Sequence, residues 1–293
     1  MKLQGVMPAL VTPFDAAGAV DFAALGVHMT NLRAAGVTGW VPCGSTGEYS
    51  LMSDAERDSV LRFVKDFAKP GEVLIAGANA PHTAGVIANC IRAKQIGYDT
   101  VLLATPFYTR PAQSELIAHF NAVLAATEVE IVLYSYPAKD GIELEWEVLD
   151  ALADHPRVIG IKESSGVLQR AIGIATRYAG RLQLVSGSDD IALDFMFWGA
   201  DAWICGPANC MAQACCDLDR TFRAGDMVKA RAQMATLFAA MSILEQGKYV
   251  QKVKYGCALQ GTPVGEARMP LGPLSEPEKA AFSAAMQPIL TWA

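Results

Sequence analysis

The chain reads as an α/β protein, a (β/α)₈ TIM barrel with an appended C-terminal helical region. Three observations predict that class. A short apolar run followed by a stretch with helical spacing recurs eight times. That many strand–helix units, evenly spaced over fewer than about 250 residues, is the signature of a closed barrel. No G-x-G-x-x-G follows the first run, so an open doubly wound sheet with a dinucleotide site lacks its own mark.

Taken in order, Val6–Val11 is the first run and Phe22–Ala35 the helix after it. Gly39–Pro42 is the second, ending in Cys43-Gly44-Ser45-Thr46-Gly47-Glu48. Ser53 caps the helix that follows, with Glu56 three residues on to complete a capping box. Val73–Gly77 leads to a helix over Thr83–Ile96, and Thr100–Ala104 ends at Thr105-Pro106-Phe107-Tyr108 before a helix from Ser114 to Ala126. Glu130–Tyr134 ends at Tyr-Ser-Tyr-Pro, with a helix near Trp146–Ala153. Val158–Ile161, Leu182–Ser186 and Ala202–Cys205 complete the set, and the first two of these precede helical stretches Leu168–Tyr178 and Ile191–Trp198. Beyond these lie Met211–Ala224, an Ala- and Met-rich stretch Asp226–Leu244, and Tyr249–Leu259. This is more helix than closure of a barrel needs. The division expected is therefore a catalytic barrel over residues 1–224 and a helical extension over 225–293, packed on the barrel or on another subunit.

Composition excludes several functions. Of the 293 residues 52% are hydrophobic and 18% charged, which rules out the disordered class. The net charge of −6 argues against a nucleic-acid partner. No apolar run is long enough to span a membrane, and the start MKLQGVMPALVTPF lacks a signal-peptide core, so a cytoplasmic protein is expected. Seven cysteines include no C-x-x-C, and four histidines are scattered singly. The cysteines read as small buried hydrophobes, and no metal site is expected.

Chemistry is expected where strand ends converge on one mouth of the barrel. The run Val158–Ile161 reads as a buried strand followed by Lys162. Burial favours the neutral amine, which is a nucleophile toward carbonyl carbon. Equally, the lysine could sit just outside the strand, in water or paired to Glu163. Other strand ends would supply Ser45 and Thr46, Tyr108, Tyr134, and Gly187 with Ser188. One amine, two phenols, hydroxyls and a glycine-rich turn suit a Schiff-base site. Glu48 reads as an internal hydrogen-bond partner.

Six segments, in this order and spacing, resemble the dihydrodipicolinate synthase and N-acetylneuraminate lyase superfamily: GVMPALVTPF, GSTGE, TPFYTRP, YSYP, IKESSG and SGSDD. The resemblance implies that Lys162 forms an imine with a 2-oxo acid such as pyruvate and that Tyr134 relays protons. It also implies that Ser45 and Thr46 hold the carboxylate, that Tyr108 reaches a neighbouring subunit's site, and that Ile204 lines the pocket. No metal or organic cofactor is implied, and the family's habit implies a homodimer or homotetramer.

The chain departs from the synthase pattern after the fifth run, where Tyr134-Ser135-Tyr136-Pro137-Ala138-Lys139-Asp140-Gly141 places Lys139 where an arginine grips the second substrate's carboxylate. Lysine keeps the charge and loses the bidentate fork, and Asp140 adds a negative charge beside it. Lys139 is thus a candidate substrate-binding residue. The stretch Glu245 to Cys257 looks like that of members acting on hydroxylated 2-oxo acids or pyrroline-hydroxy-carboxylates. The expectation is a Schiff-base lyase of aldolase, dehydratase or deaminase type on such substrates. One alternative is the synthase that condenses pyruvate with aspartate semialdehyde. The other is a barrel that binds a keto acid without turning it over, which would not need both Lys162 and Tyr134.

Overall fold

The computed structural model describes residues 2–292, so Met1 and Ala293, where the two expected units begin and end, lie outside it. Eight strands run parallel: β1 (Gly5–Pro8), β2 (Gly39–Trp40), β3 (Val73–Gly77), β4 (Thr100–Ala104), β5 (Glu130–Ser135), β6 (Val158–Glu163), β7 (Gln183–Ser186) and β8 (Ala202–Cys205). They pair in the order β1-β8-β7-β6-β5-β4-β3-β2. At the remaining seam the Thr38 N–H donates to the Val6 carbonyl (2.9 Å) and the Val41 N–H to the Pro8 carbonyl (3.1 Å). With Ala9 bridged to Val41, the ring closes into a (β/α)₈ barrel.

Three strands are shorter than their apolar runs, β7 only by Leu182 at its start. The Leu10 N–H still donates to the Val41 carbonyl (3.0 Å), but the Val11 N–H turns away to the side-chain oxygen of Asn209 (3.0 Å), a partner 198 positions away. Beyond Trp40 only Val41 still bridges to β1, and Pro42, which has no N–H, cannot extend the ladder.

Helices α1 (Phe22–Ala35), α2 (Asp54–Phe67), α3 (Thr83–Ile96), α4 (Gln113–Ala126), α6 (Trp146–Leu152), α7 (Leu168–Arg177), α8 (Ala192–Phe197) and α9 (Ala208–Arg223) form the outer ring. Their ends follow local chemistry. The Asp21 carboxylate accepts from the Ala24 N–H (2.9 Å) to start α1. Ser53 and Glu56 form the expected capping box on α2. A further four-residue turn of helix, α5 (Pro137–Asp140), follows β5 and has too few residues for periodicity to reveal.

The hydrophobic core lies in two shells. Inside the barrel Met7, Val41, Ile75, Leu102, Val132 and Val185 fill the axis. Outside it the strands' other face packs on the helices. Side chains alternate between the two shells along each strand. On β6 this puts Lys162 inward, while Glu163 points outward to an ion pair with Arg170 of α7 (2.7 Å).

Three more helices follow: α10 (Met227–Glu245), α11 (Tyr249–Leu259) and α12 (Glu276–Leu290). Helix α10 packs on α9, on α12 and on the turn after β7. Periodicity missed α12, although Ser275 and Glu278 give it a second capping box. The extension is bound to the barrel by charge as well. Lys254 of α11 pairs with Glu48 (2.6 Å) in a buried site, and the Arg268 N–H donates to the same carboxylate (2.8 Å). Glu48 is therefore an internal partner that ties the turn after β2 to the C-terminal helices. All seven cysteines are free and buried.

Candidate active site

Lys162 ends its side chain at the bottom of a cavity of about 180 Å³ at the C-terminal mouth of the barrel. Only 6% of the residue is exposed. Burial in this wall lowers the amine's pKa to about 8, the neighbouring Asp189 carboxylate opposing the shift and Lys139 assisting it. A neutral amine is thus accessible near neutral pH. The outward turn of Glu163 excludes the pairing of Lys162 with its chain neighbour, and settles that alternative by strand geometry.

Around the amine the wall is built from several strand ends. Tyr134, on β5 opposite Lys162 in register, sets its ring centroid 4.4 Å from Nζ. Its burial pushes the phenol well above its ordinary pKa, so it carries its proton at neutral pH. Gly187 must be glycine: a Cβ there would sit 2.7 Å from Cγ of Lys162 and would also strike the Ser164 hydroxyl. That hydroxyl donates to the Gly187 carbonyl (2.8 Å), locking the turns after β6 and β7 together. Ser45, Thr46, Lys139 and Ser188 also line the cavity. Lys139 lies over the rings of Tyr136 (5.3 Å) and Tyr249 (5.5 Å), at the outer rim.

Two of the expected residues stand elsewhere. Ile204 is not on the cavity wall. It packs in the barrel interior, because β8 ends one residue later and Gly206 is the residue at cavity level. Tyr108 is 93% exposed on a loop with φ of 74°, away from the cavity of its own chain.

Sequence reasoning passed over Asp189, Tyr136, Glu245 and Tyr249, all of which line the cavity. Asp189 is buried and accepts from the Tyr249 hydroxyl (2.6 Å) and from Trp203 Nε1 (2.9 Å). Burial raises its pKa, and the Tyr249 hydrogen bond, the charge of Lys162 and the Trp203 hydrogen bond oppose the shift. Gly206 makes room for Tyr249, whose phenol stands against it. The SGSDD segment already contained Asp189, and helical spacing of α10 and α11 could not show that their ends meet the barrel mouth. Among the described residues no group of three His, Cys, Asp or Glu side chains is placed to hold a metal ion.

A barrel of eight parallel strands, with a buried lysine and a facing tyrosine at its C-terminal mouth, defines an enzyme of the lysine-centred barrel class. The sequence matches the model of the dihydrodipicolinate synthetase family over residues 2–289, and the chain belongs to that family of lyases. It is 36% identical over 285 residues to the 4-hydroxy-tetrahydrodipicolinate synthase of Trichlorobacter lovleyi, covering 97% of this chain and 98% of that one. The dihydrodipicolinate synthase structure from Bacillus anthracis superposes with a TM-score of 0.94 at 26% identity, covering 98% of each chain. A chloride-inhibited synthase from Acinetobacter baumannii, solved with pyruvate, gives 0.93 at 29% identity and covers 97% of this chain and 98% of that one. No helix among the described residues is long and apolar enough to cross a membrane.

Proposed function

We propose that the chain is a Schiff-base lyase in which Lys162 forms an imine with a 2-oxo acid or opens a cyclic imino acid. The observation that carries this reading is the buried Lys162 amine, its pKa lowered to about 8, facing the protonated Tyr134 phenol. The amine adds to C2, Ser45 and Thr46 hold the carboxylate by their hydroxyls, and Tyr134 gives the proton with which the carbinolamine loses water. The imine itself is the electron sink, so no metal or organic cofactor is needed. A C3 proton or the C3–C4 bond can then be released. Both Lys162 and Tyr134 serve this chemistry, which favours an enzyme over a barrel that only binds keto acids.

The substrate we assign is a hydroxylated 2-oxo acid or a pyrroline-hydroxy-carboxylate, turned over as aldolase, dehydratase or deaminase. Lys139 at the rim offers one point charge, while Asp189 and Asp190 line the same cavity. That balance suits a hydroxyl or amine at the distal end better than a second carboxylate. The second reading, condensation of pyruvate with aspartate semialdehyde, is favoured by relatives such as the Trichlorobacter lovleyi synthase. We further assign a homodimer or homotetramer, in which the exposed Tyr108 reaches the partner's cavity, and a cytoplasmic setting that suits seven free thiols.

Pyruvate with borohydride should add its mass irreversibly to Lys162, and Lys162→Ala should abolish the adduct. Peptide mass spectrometry that finds the label on Lys139 or Lys254 instead would overturn the assignment.

A further inference from the structure

Glu245 belongs to the helical extension, yet its side chain helps to line two joined spaces: the cavity over Lys162 and an outer cleft of about 590 Å³. Ser45, Tyr136, Ala138, Lys139, Glu245 and Tyr249 line both, and so form the neck between them. Lys162 and Glu245 line one cavity, so a substrate bound through C2 to Lys162 has room to present its C4 end to that carboxylate. From the amine outward run the Tyr134 ring (4.4 Å from Nζ), the Tyr136 ring (centroids 5.9 Å apart) and the Glu245 carboxylate, which accepts from the Tyr136 hydroxyl (3.4 Å). In a cavity of about 180 Å³ walled by both groups, this acid stands across from the nucleophile, where it can act on a group that leaves C4.

We propose that Glu245 is the acid that protonates a hydroxyl departing from C4 of the Lys162-bound substrate, which makes the substrate class a 4-hydroxy-2-oxo acid without a second carboxylate. The inference rests on the Schiff-base reading above and deepens it. In the iminium, C3 gives its proton to the Tyr134 oxygen and its electron pair forms the enamine. The enamine pair then shifts to C3–C4 as the C4–O bond breaks, and the leaving oxygen takes the Glu245 proton to become water. The product is a conjugated iminium, hydrolysed to release the unsaturated 2-oxo acid and Lys162, and solvent restores the proton of Glu245.

The surroundings keep that carboxyl protonated. Glu245 is the last residue of the 19-residue helix α10, whose C-terminus carries partial negative charge. Desolvation, with Asp189 and Asp190 of the turn after β7, pushes its pKa up to about 7, against Lys139 of α5 and the Tyr136 hydroxyl. Tyr249 of α11 faces it as an uncharged phenol. The same negative surroundings disfavour a second carboxylate at C4.

The test uses 4-hydroxy-2-oxopentanoate and the full-length wild type, Glu245→Gln and Glu245→Asp, with dehydration followed by ultraviolet absorbance of the conjugated product. Wild-type kcat should fall as pH rises through about 7, since the acid form is required. Glu245→Gln should lower kcat by roughly 10²-fold and lose that alkaline limb, and Glu245→Asp should keep the limb at reduced rate. Borohydride trapping of pyruvate and its C3 deuterium exchange, which need no leaving-group acid, should persist in both variants. Wild-type kcat or a retained limb in Glu245→Gln overturns the proposal, and so does a wild type that traps pyruvate but only cleaves the substrate or leaves it intact. Failure of trapping in the wild type overturns the Schiff-base reading beneath it.

Discussion

Lys162 holds its amine in a wall where the ammonium form is at a disadvantage, and this has consequences for both rate and stability. Because its folded pKa is about 8, against an ordinary lysine near 10.5, the initial rate of pyruvate trapping should rise with pH and level off above about 8. A rise that continued to about pH 10 would show an unperturbed lysine. For stability the sign is opposite to that of a salt-bridged lysine. The unfolded chain binds the proton more tightly, so this group's contribution increases as pH rises from about 8 toward 10.5. At pH 7 the buried amine is a cost, and Lys162→Met should raise the thermal midpoint while abolishing trapping. Tyr134→Phe should still fold and still bind a 2-oxo acid, with turnover reduced roughly 10²–10⁴-fold. Near-normal turnover would assign the proton to another group, with the Ser164 hydroxyl on the same wall the first to examine.

At the scale of the element, the short helix α5 decides how the mouth meets the distal end of a substrate. Gly141, with φ of 75°, stops α5 after one turn. Lys139 is left over the Tyr136 and Tyr249 rings, and Asp140 turns into the outer cleft, where desolvation raises its pKa to about 6. Asp140 therefore still carries most of its charge at neutral pH, beside the cleft through which a second carboxylate would enter. Aspartate semialdehyde with pyruvate should accordingly be a poor pair. Lys139→Arg should help in part, and Lys139→Arg with Asp140→Thr should help more, because the double change adds the fork and removes the like charge. Condensation by the wild type at about 10⁴ M⁻¹s⁻¹ or above would instead favour the synthase reading. The other instructive element is β6. A period of two sends Lys162 to the cavity and Glu163 to Arg170, so the strand makes the separation that chain adjacency obscures.

At the scale of the whole molecule, the barrel mouth is completed from outside the barrel. Glu245 and Tyr249 come from the ends of α10 and α11, on either side of the break at Gly247. The Glu48–Lys254 ion pair and the Arg268 bonds hold that extension on the turn after β2. Tyr108 has no place in its own cavity, and its exposure suits a role across a subunit boundary. Lys162→Ala and Tyr108→Phe should each lose activity alone. Mixed under conditions that exchange subunits, they should regain part of it, because a hybrid dimer has one cavity with both native residues. A mixture no more active than its parts, with a single oligomer seen by light scattering, would keep Tyr108 out of the partner's site.

The sequence by itself determined the eight strands, the long helices between them and the barrel they build, because strand and helix periods, capping boxes and turn glycines are local properties that the chain carries wherever it folds. Helices α1 and α3 span the residues that spacing predicts, and the strand before Lys162 is where its apolar run lies. It also placed Ser45, Thr46, Tyr134, Gly187 and Ser188 in the neighbourhood of Lys162, since a closed parallel barrel brings its strand ends to one mouth. Only the tertiary structure decided which residues face inward at cavity level. It set Ile204 one layer down in the barrel core and sent Tyr108 outward. It brought Glu245 and Tyr249 to the amine's cavity by contacts between residues 60 or more positions apart in chain order, such as Tyr249 with Asp189. Contacts of that range depend on how helices pack, and packing leaves no period in the sequence to read.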